Sequence, residues 1–569
     1  MINGARYILD CLYEQEITHF FMVPGKLINP FMSCYKKEET NNPDIMPIVA
    51  AHEEGAAFMA DGYARVSGKF GVCITIGGPG TTNALTPMAA AFADGYPIFL
   101  ISGQISHKFQ MRGALQDSAQ SMFDLMAMVK PVTGVAYDVH DAELIERYMK
   151  NILNQMYGFQ KLPTYLSITQ DALLDEVKFS QHRSILPSSI KHRKIIDQDA
   201  VELFLSYIKN HQKIIFLVGN NARSVGVYNL LIKVAEKYRI PVATSVSGKG
   251  IFPENHELSL GCFGYMGSPR SKEAIINSNP DIIVMIGYDV TQWNTMAWHP
   301  NLIAKPYLVE INSDQSALNK YIDVDLPIVS DNDVFLKYIL ENGTNSFLPF
   351  IKEKQSWLDE ILSNPLNYDE GNIKNTGSPI HPAFIVSKLR EFFPKNTMVF
   401  VDSGAHRAFM GHYWKSYGPF DYFSTTTIGP MGWAIPAGIG GKFAKSDVPC
   451  LVVTGDGCML MHGVEIQTAA RHNLDITFVV INNSHYGQTY FNNKANISRL
   501  SSLPEHNFAL FAESLGVRSL RVTSPCELEA AIEKAINYAG TFLLDIVVGH
   551  EHVVPAYDYK EQMSRLYRI

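Results

Sequence analysis

None of the seven cysteines stands at Cys-x-x-Cys spacing from another, which argues against a zinc site and against a disulfide framework. An odd number of scattered thiols is expected to stay reduced. Runs of one charge are missing too: 48 basic and 56 acidic residues leave a formal net charge of −8, spread without clusters. Nucleic acid and an anionic membrane surface are therefore not expected partners. The longest apolar stretches, such as 214–218 and 476–481, have strand length and fall far short of the ~20 residues that span a bilayer. The first ten residues lack a basic region followed by an apolar run and a small-residue cleavage site, so a cytosolic location is expected. There is no low-complexity tract and no short-period repeat.

What the chain does have is length. At 569 residues it exceeds a single core, and short apolar strands alternate with helix-period segments throughout, the pattern of parallel sheets covered by helices. The expected class is α/β with three Rossmann-like domains. The first covers 1–177, with strands at 72–76 and 98–102 around a packed helix carrying Ala84, Leu85, Met88, Ala89 and Phe92. A polar, basic, Pro/Ser-containing linker follows at 178–194. The second domain covers 195–342, with strands at 214–219, 242–246, 282–287 and 307–311. After Gly343 the chain turns polar before a third domain at 379–550, whose strands are 398–401, 450–454, 476–481 and 543–547. The tail, 551–569, is a candidate lid.

The most informative stretch runs from Cys450 to Asn483. One apolar strand ends in Gly455-Asp456-Gly457, a helix is expected from about His462 to Asn473, and a second apolar strand ends in Asn482-Asn483. A right-handed strand-helix-strand unit puts both strand ends at the same carboxyl edge, so Asp456 and Asn483 can converge on one ion. A carboxylate, an amide oxygen and free carbonyls make a hard, all-oxygen set suited to Mg²⁺. The glycines admit a diphosphate close to the backbone, and a helix N-terminus favours it. Gly-Asp-Gly or Asn-Asn alone is an ordinary turn at a strand end; the pair in this setting is informative.

Here the chain resembles the thiamin-diphosphate enzymes of the acetolactate synthase and 2-oxo acid decarboxylase family, and is closest in its motifs to acetolactate synthase-like large subunits. The resemblance implies Asp456, Asn483 and the main-chain carbonyl of His485 as Mg²⁺ ligands. It implies diphosphate contacts at Ala405 and His406 of the Asp402-Ser403-Gly404-Ala405-His406 loop, and at Gly457 and Cys458. In Ile428-Gly429-Pro430-Met431-Gly432 the carbonyl of Gly429 would accept from the cofactor's 4′-amino group, and Met431 would wedge between its rings. In His52-Glu53-Glu54-Gly55-Ala56, continuing to Ala60-Asp61-Gly62-Tyr63-Ala64-Arg65, Glu53 falls on the position of the carboxylate that activates the cofactor. Buried against the pyrimidine, such a group would have a raised pKa. Glu54 would then be solvated, since adjacent helical residues point about 100° apart. Gly77-Gly78-Pro79-Gly80-Thr81-Thr82-Asn83 lacks a P-loop ending and matches the family loop around the pyrimidine. The family's site forms between subunits, which implies a homodimer or homotetramer.

The resemblance also frames the reaction: decarboxylation of a 2-oxo acid, followed by release of an aldehyde or by ligation to a second carbonyl. Pyruvate decarboxylases carry adjacent histidines, and no two of the 18 histidines here are adjacent. Leu115-Gln116-Asp117 occupies the place of the Phe-Gln-Glu segment of acetolactate synthases, and Gln116 supports ligation. Thr489-Tyr490-Phe491-Asn492 lacks the Trp that favours 2-oxobutyrate, which leaves the substrate pair open. Gly287-Tyr288-Asp289 departs from the Gly-x-Arg-Phe-Asp-like run near FAD and argues against FAD. The alternatives are a non-ligating decarboxylase, an acyl-CoA lyase, a cyclic-dione hydrolase and a catalytically silent regulatory relative; the presence of Glu53 speaks against the last.

Overall fold

The computed structural model describes residues 2–35, 45–119, 122–177, 194–347, 351–492 and 498–555. The expected linker before Lys194 and the tail from Ala556 onward lie outside them, as do the side chains of Phe491 and Asn492.

Three six-stranded sheets, parallel throughout, carry the fold. The first contains β1 (His19–Met22), β2 (Met46–Val49), β3 (Gly71–Ile76), β4 (Ile98–Gln104), β5 (Val135–Val139) and β6 (Thr164–Thr169). The second contains β7 (Ile214–Val218), β8 (Val242–Thr244), β9 (Ser259–Cys262), β10 (Ile282–Ile286), β11 (Tyr307–Asn312) and β12 (Leu326–Val329). The third contains β13 (Met398–Val401), β14 (Tyr422–Phe423), β15 (Cys450–Gly455), β16 (Ile476–Asn482), β17 (Arg518–Val522) and β18 (Thr541–Val547). Central strands such as IIVMI of β10 and ITFVVIN of β16 are buried along their whole length, as strands covered on both faces must be.

Topology places the sites. The first sheet runs β2-β1-β3-β4-β6-β5 and the third β14-β13-β15-β16-β18-β17, the same order twice. The middle sheet differs, β12-β11-β10-β7-β8-β9, with its order reversing between β10 and β7. In the third sheet the reversal falls between β13 and β15, and open parallel sheets receive ligands at that crevice, outside the carboxyl ends of the strands. The loops there are Asp402–Gly404 and Gly455–Gly457, both singled out by the sequence.

Four helices matter below: α1 (Glu53–Ser67), α2 (Ala405–Tyr413), α3 (Ala434–Ala444) and α4 (Asp456–His462). The sequence pattern predicts one helix from about His462 to Asn473; the structure has a helix over Ile466–Arg471 within that stretch and, before it, α4, which begins at Asp456 directly after the extended N-cap Gly455 and is separated from the later helix by the tight turn Gly463–Glu465. An acidic residue in a first turn is favourable, and the small Gly457 lets the turn start immediately against the strand end. Helices α1 and α3 cross with their backbones touching. A Cβ on Gly62 would stand 1.9 Å from the Ala437 carbonyl oxygen, and one on Gly440 1.8 Å from that of Met59. Through this contact the first and third domains share one apolar core, from Phe20 and Phe58 to Phe400 and Trp433. The middle domain keeps its own. Among the described residues no helix is long and apolar enough to cross a membrane.

Candidate active site

The third sheet opens onto a cavity of about 240 Å³. Its floor is made by Ser403 to Arg407 after β13, Gly455 to Cys458 after β15, and Asn483 and His485 after β16. Asp456 is almost fully buried, and burial pushes its carboxyl up to about 6. Its Oδ2 accepts from the backbone N–H of Asn483 (3.2 Å) and of His485 (3.3 Å), while Oδ1 accepts from Gly457 N–H (2.7 Å). Ser484, left-handed at φ 54°, folds the Asn483–His485 turn back over the carboxylate. The imidazole of His485 turns aside: its Nδ1 lies 2.9 Å from the Asn483 carbonyl oxygen, and its ring stacks 4.6 Å from that of His550. This leaves one carboxylate, the Asn483 amide and a main-chain carbonyl at the ion position. Among the described residues no group of three or more His, Cys, Asp and Glu side chains could cage a metal. The donor set therefore fits a hard oxygen-seeking cation completed by phosphate oxygens, not zinc.

The walls also fit a diphosphate. Helix α2 starts at Ala405 behind Gly404, whose φ of 154° few other residues adopt, so the helix's free N–H groups face the crevice. A side chain on Gly455 would strike the His406 ring at 2.8 Å, and one on Gly457 the Tyr486 ring at 2.7 Å. His406 is buried, its Nε2 has no partner, and burial beside Arg407 depresses its pKa to about 3. An orphaned ring nitrogen in a cavity wall is costly unless a ligand meets it. Cys458 donates its thiol to the Ser403 carbonyl (3.1 Å), tying the two loops together, and burial raises its pKa.

Met431 lines the cavity, its Cε 3.1 Å from where a Cβ on Gly457 would lie. The turn bearing it is fixed from both sides. Gly429 and Gly432 take φ of 64° and 83°, and Gly432 N–H donates to Asp402 Oδ1 (2.9 Å). Trp433 donates its indole N–H to Asp61 Oδ2 on α1 (2.6 Å), and Arg65, buried on the same helix, holds Asp61 at 2.9 Å. The Asp61-to-Arg65 portion of the first-domain motif thus supports the methionine turn of the third domain.

Of the residues expected at the site, the structure gathers Ala405, His406, Met431, Asp456, Gly457, Cys458, Asn483 and His485 on this cavity. Gly429 shapes the turn without lining it. Glu53 and Gln116 do not line it either. Glu53 opens α1 at the carboxyl edge of the first sheet and accepts from Asn83 Nδ2 (3.0 Å), which joins it to the glycine-rich loop after β3. Gln116 sits half-buried at φ 64° beyond β4. Glu54 corrects its expectation: instead of being solvated it pairs with His462 Nε2 at 3.4 Å, because the end of α4 packs against the first turn of α1. The sequence reading missed the roof, where Tyr265 and Trp293 of the middle domain meet edge to face (4.1 Å) and Tyr265 accepts from Gln488 Nε2 (3.1 Å). No local motif marks these aromatics; only the packing of two domains reveals them.

In the middle domain the loops at the sheet's reversal close on each other. Gly219 N–H donates to Ile286 O, Asn221 N–H to Gly287 O, and a Cβ on Gly219 would lie 2.4 Å from Tyr288 Cα. Asn221 Nδ2 also binds the Asp289 carboxylate at 2.9 Å. These contacts hold the two loops together at the reversal of the middle sheet.

Comparison with known proteins agrees with this geometry. Residues 2–128 match the N-terminal TPP binding domain of thiamine pyrophosphate enzymes, 201–339 the central domain, and 402–546 the C-terminal TPP binding domain. A protein of Methanocaldococcus jannaschii described as a probable acetolactate synthase large subunit is 28% identical, over 97% of this chain and 93% of its own. The acetolactate synthase isozyme 3 large subunit of Escherichia coli is 27% identical, over 98% and 96%. A solved structure of a candidate thiamin diphosphate-dependent enzyme from Mycobacterium smegmatis superposes with a TM-score of 0.80 at 22% identity, covering 96% of this chain and 99% of its own, and so shares the fold. With the three domains in family order and the diphosphate loops at the reversal of the third sheet, the chain belongs to the thiamine pyrophosphate enzymes, in the group of the acetolactate synthases and decarboxylases.

Proposed function

We propose that this protein is a carboligase of acetolactate synthase type, which decarboxylates a 2-oxo acid and joins the remaining fragment to a second carbonyl, with thiamin diphosphate held through Mg²⁺. The observation that carries the reading is the convergence of Asp456, Asn483, His485 and Met431 on one cavity at the third sheet's reversal. Bound thiamin diphosphate supplies a nucleophilic carbon and an electron sink for the loss of CO₂. The protein's share is to orient it. Asp456, Asn483 and the His485 carbonyl would hold the metal, Ala405 and His406 would meet the diphosphate, and Met431 would pack against the rings. Tyr265, Met266, Trp293 and Phe409 give the cavity a largely apolar wall, suited to the carbon skeleton of a small 2-oxo acid.

Glu53 holds and moves a proton at its carboxylate, and it does so for the cavity of a second copy of the chain. Its place outside the cavity of its own chain supports this reading. So does a set of bare apolar side chains on both regions: Met111 and Leu115, 76% and 85% exposed, beside Gln116, and Ile428 before Met431 with Leu460 and Met461 on α4. Apolar groups left in water in two patches of one chain suit a two-fold dimer in which each patch covers the other. Gln116 would enter the partner's site with them. The resemblance in sequence to acetolactate synthases favours pyruvate as donor.

The test is to supply purified protein with thiamin diphosphate, Mg²⁺ and pyruvate, and to follow CO₂ and product mass together. Acetolactate is the expected product. Acetaldehyde alone would move the protein to the decarboxylases, and cofactor binding without turnover would move the search to longer 2-oxo acids, cyclic diones and acyl-CoA substrates.

A further inference from the structure

Helix α4 begins with Asp456 at the cavity and, two turns later, runs into the tight turn Gly463–Glu465. Glu465 is fully buried, with no Lys or Arg bound to it among the described contacts. Its carboxylate instead faces the start of α1. Oε1 accepts from His52 N–H (3.0 Å), and Oε2 from Ala51 N–H (3.1 Å) and from the Thr468 hydroxyl (3.0 Å). The fit is close: a Cβ on Gly55 would lie 2.1 Å from Oε1, so the carboxylate lies directly on the backbone of the first turn of α1. His462 at the end of α4 reinforces the contact with two residues of α1, pairing with Glu54 and meeting Phe58 edge-on at 5.6 Å. Burial without a cationic partner pushes the Glu465 carboxyl up, and the three donors oppose that.

A buried carboxylate is costly, and the N–H groups it meets, those of the N-cap His52 and of Ala51 before it, lie outside the reach of an ordinary N-cap side chain, which accepts from the second or third residue of the helix. His52 is in fact the N-cap, accepting from Glu54 N–H at 3.2 Å. What Glu465 adds is a fixed position. It grips the two residues immediately before Glu53 from an element that begins at the diphosphate-binding loop, some four hundred residues away in sequence.

We infer that Glu465 is a positioning residue for Glu53: it sets where the Glu53 carboxylate stands, and ties that carboxylate rigidly to the Asp456 helix of the same chain. In the dimer proposed above, α4 and α1 would then join the diphosphate end of one site to the acid of the other. The inference rests on the reading of Glu53 as the activating carboxylate. Misplacement of a reacting group by about 1 Å costs on the order of a hundredfold in rate, so loss of the grip would be felt in proton transfer before it is felt in cofactor binding.

The experiment measures deuterium exchange at C2 of bound thiamin diphosphate, by acid quench and proton NMR. Wild-type protein is compared with Glu465→Gln, Thr468→Val and Glu53→Gln, together with cofactor affinity and melting temperature for each. Gln offers one acceptor where two are used, and Thr468→Val removes a single donor while sparing the carboxylate. The expected result is exchange slowed roughly ten- to a hundredfold in Glu465→Gln and less in Thr468→Val, with cofactor affinity nearly unchanged in both. Wild-type exchange in cofactor-loaded Glu465→Gln overturns the inference, as does a defect confined to affinity or melting temperature. If Glu465→Gln does not fold, Thr468→Val decides by the same criteria. If Glu53→Gln itself exchanges at the wild-type rate, the role of Glu53 falls, and the inference falls with it for that separate reason.

Discussion

At the scale of single residues, two acids with different neighbours should fail in different ways. Glu53→Gln keeps the shape of the Asn83 contact and removes only the ability to hold a proton, so turnover should drop by roughly 10²- to 10⁴-fold while the cofactor still binds. Asp456→Ala removes the one carboxylate among the described residues that would ligate Mg²⁺ in the proposed site, and should lose Mg²⁺-dependent cofactor binding, as read by calorimetry. A histidine remote from the ion adds a pH dependence. His412 is buried with both ring nitrogens engaged, Nε2 accepting from Tyr368 N–H (2.8 Å) and Nδ1 lying 3.2 Å from the Met266 carbonyl oxygen. Burial lowers its pKa to about 4, from an ordinary 6.5. Between those values the unfolded chain binds the proton and the folded one does not, so stability is present above pH 6.5 and is lost as pH falls toward 4. The loss approaches about 3 kcal/mol for this group. In His412→Gln the melting temperature should be lower near neutrality and fall less steeply from pH 6.5 to 4.5. Asp456 and Asn483 were legible because glycine and paired asparagines punctuate strand ends. Glu465 was not, because a lone glutamate after a helix has no signature until its backbone partners at Ala51 and His52 are in place.

At the scale of elements, long apolar runs such as 214–218, 282–286 and 476–482 are unmistakable in sequence because burial on both faces leaves no other composition. Short edge elements such as β14, two residues long, exist only by pairing with β13 and leave no periodic trace. Helix α4 leaves no periodic trace because its first turn, Asp-Gly-Cys, has the composition of a loop, whereas the helix over Ile466–Arg471 falls within the stretch the pattern marks. The α1–α3 crossing yields a prediction of its own. Gly→Ala in a helix interior usually stabilises by up to about 1 kcal/mol. At Gly62 and Gly440 the new methyl would sit inside a carbonyl of the facing helix, so the sign reverses. Gly62→Ala or Gly440→Ala should destabilise by about 1–3 kcal/mol, measured by thermal melting of the apoprotein. Because α3 continues directly from the Met431 turn, the weakened crossing should also loosen the cofactor.

At the scale of the whole molecule, the duplicated strand order of the first and third sheets supplies two ligand crevices per chain, one bearing Glu53 and Asn83, the other Asp456 and Met431. Within one chain the two are joined through α4, Glu465 and α1, and Glu53 does not line the cavity that Asp456 and Met431 line. Two copies related by a two-fold axis would bring unlike crevices together and make two complete sites. Mixing inactive variants tests this arrangement directly. In a dimer of one Glu53→Gln chain and one Asp456→Ala chain, one site collects both defects and the other collects neither. Random co-assembly makes half the dimers mixed, each with one intact site, so activity should return to roughly one quarter of wild type. Either variant alone should stay inactive at every concentration. If acid and metal ligands belonged to the same chain's site, every site in the mixture would carry a defect and no activity would return. Leu115→Asp, placing a charge in the exposed apolar patch, should give folded monomers in sedimentation and abolish the recovery, because in the proposed dimer the same surface would both complete the site and hold the copies together.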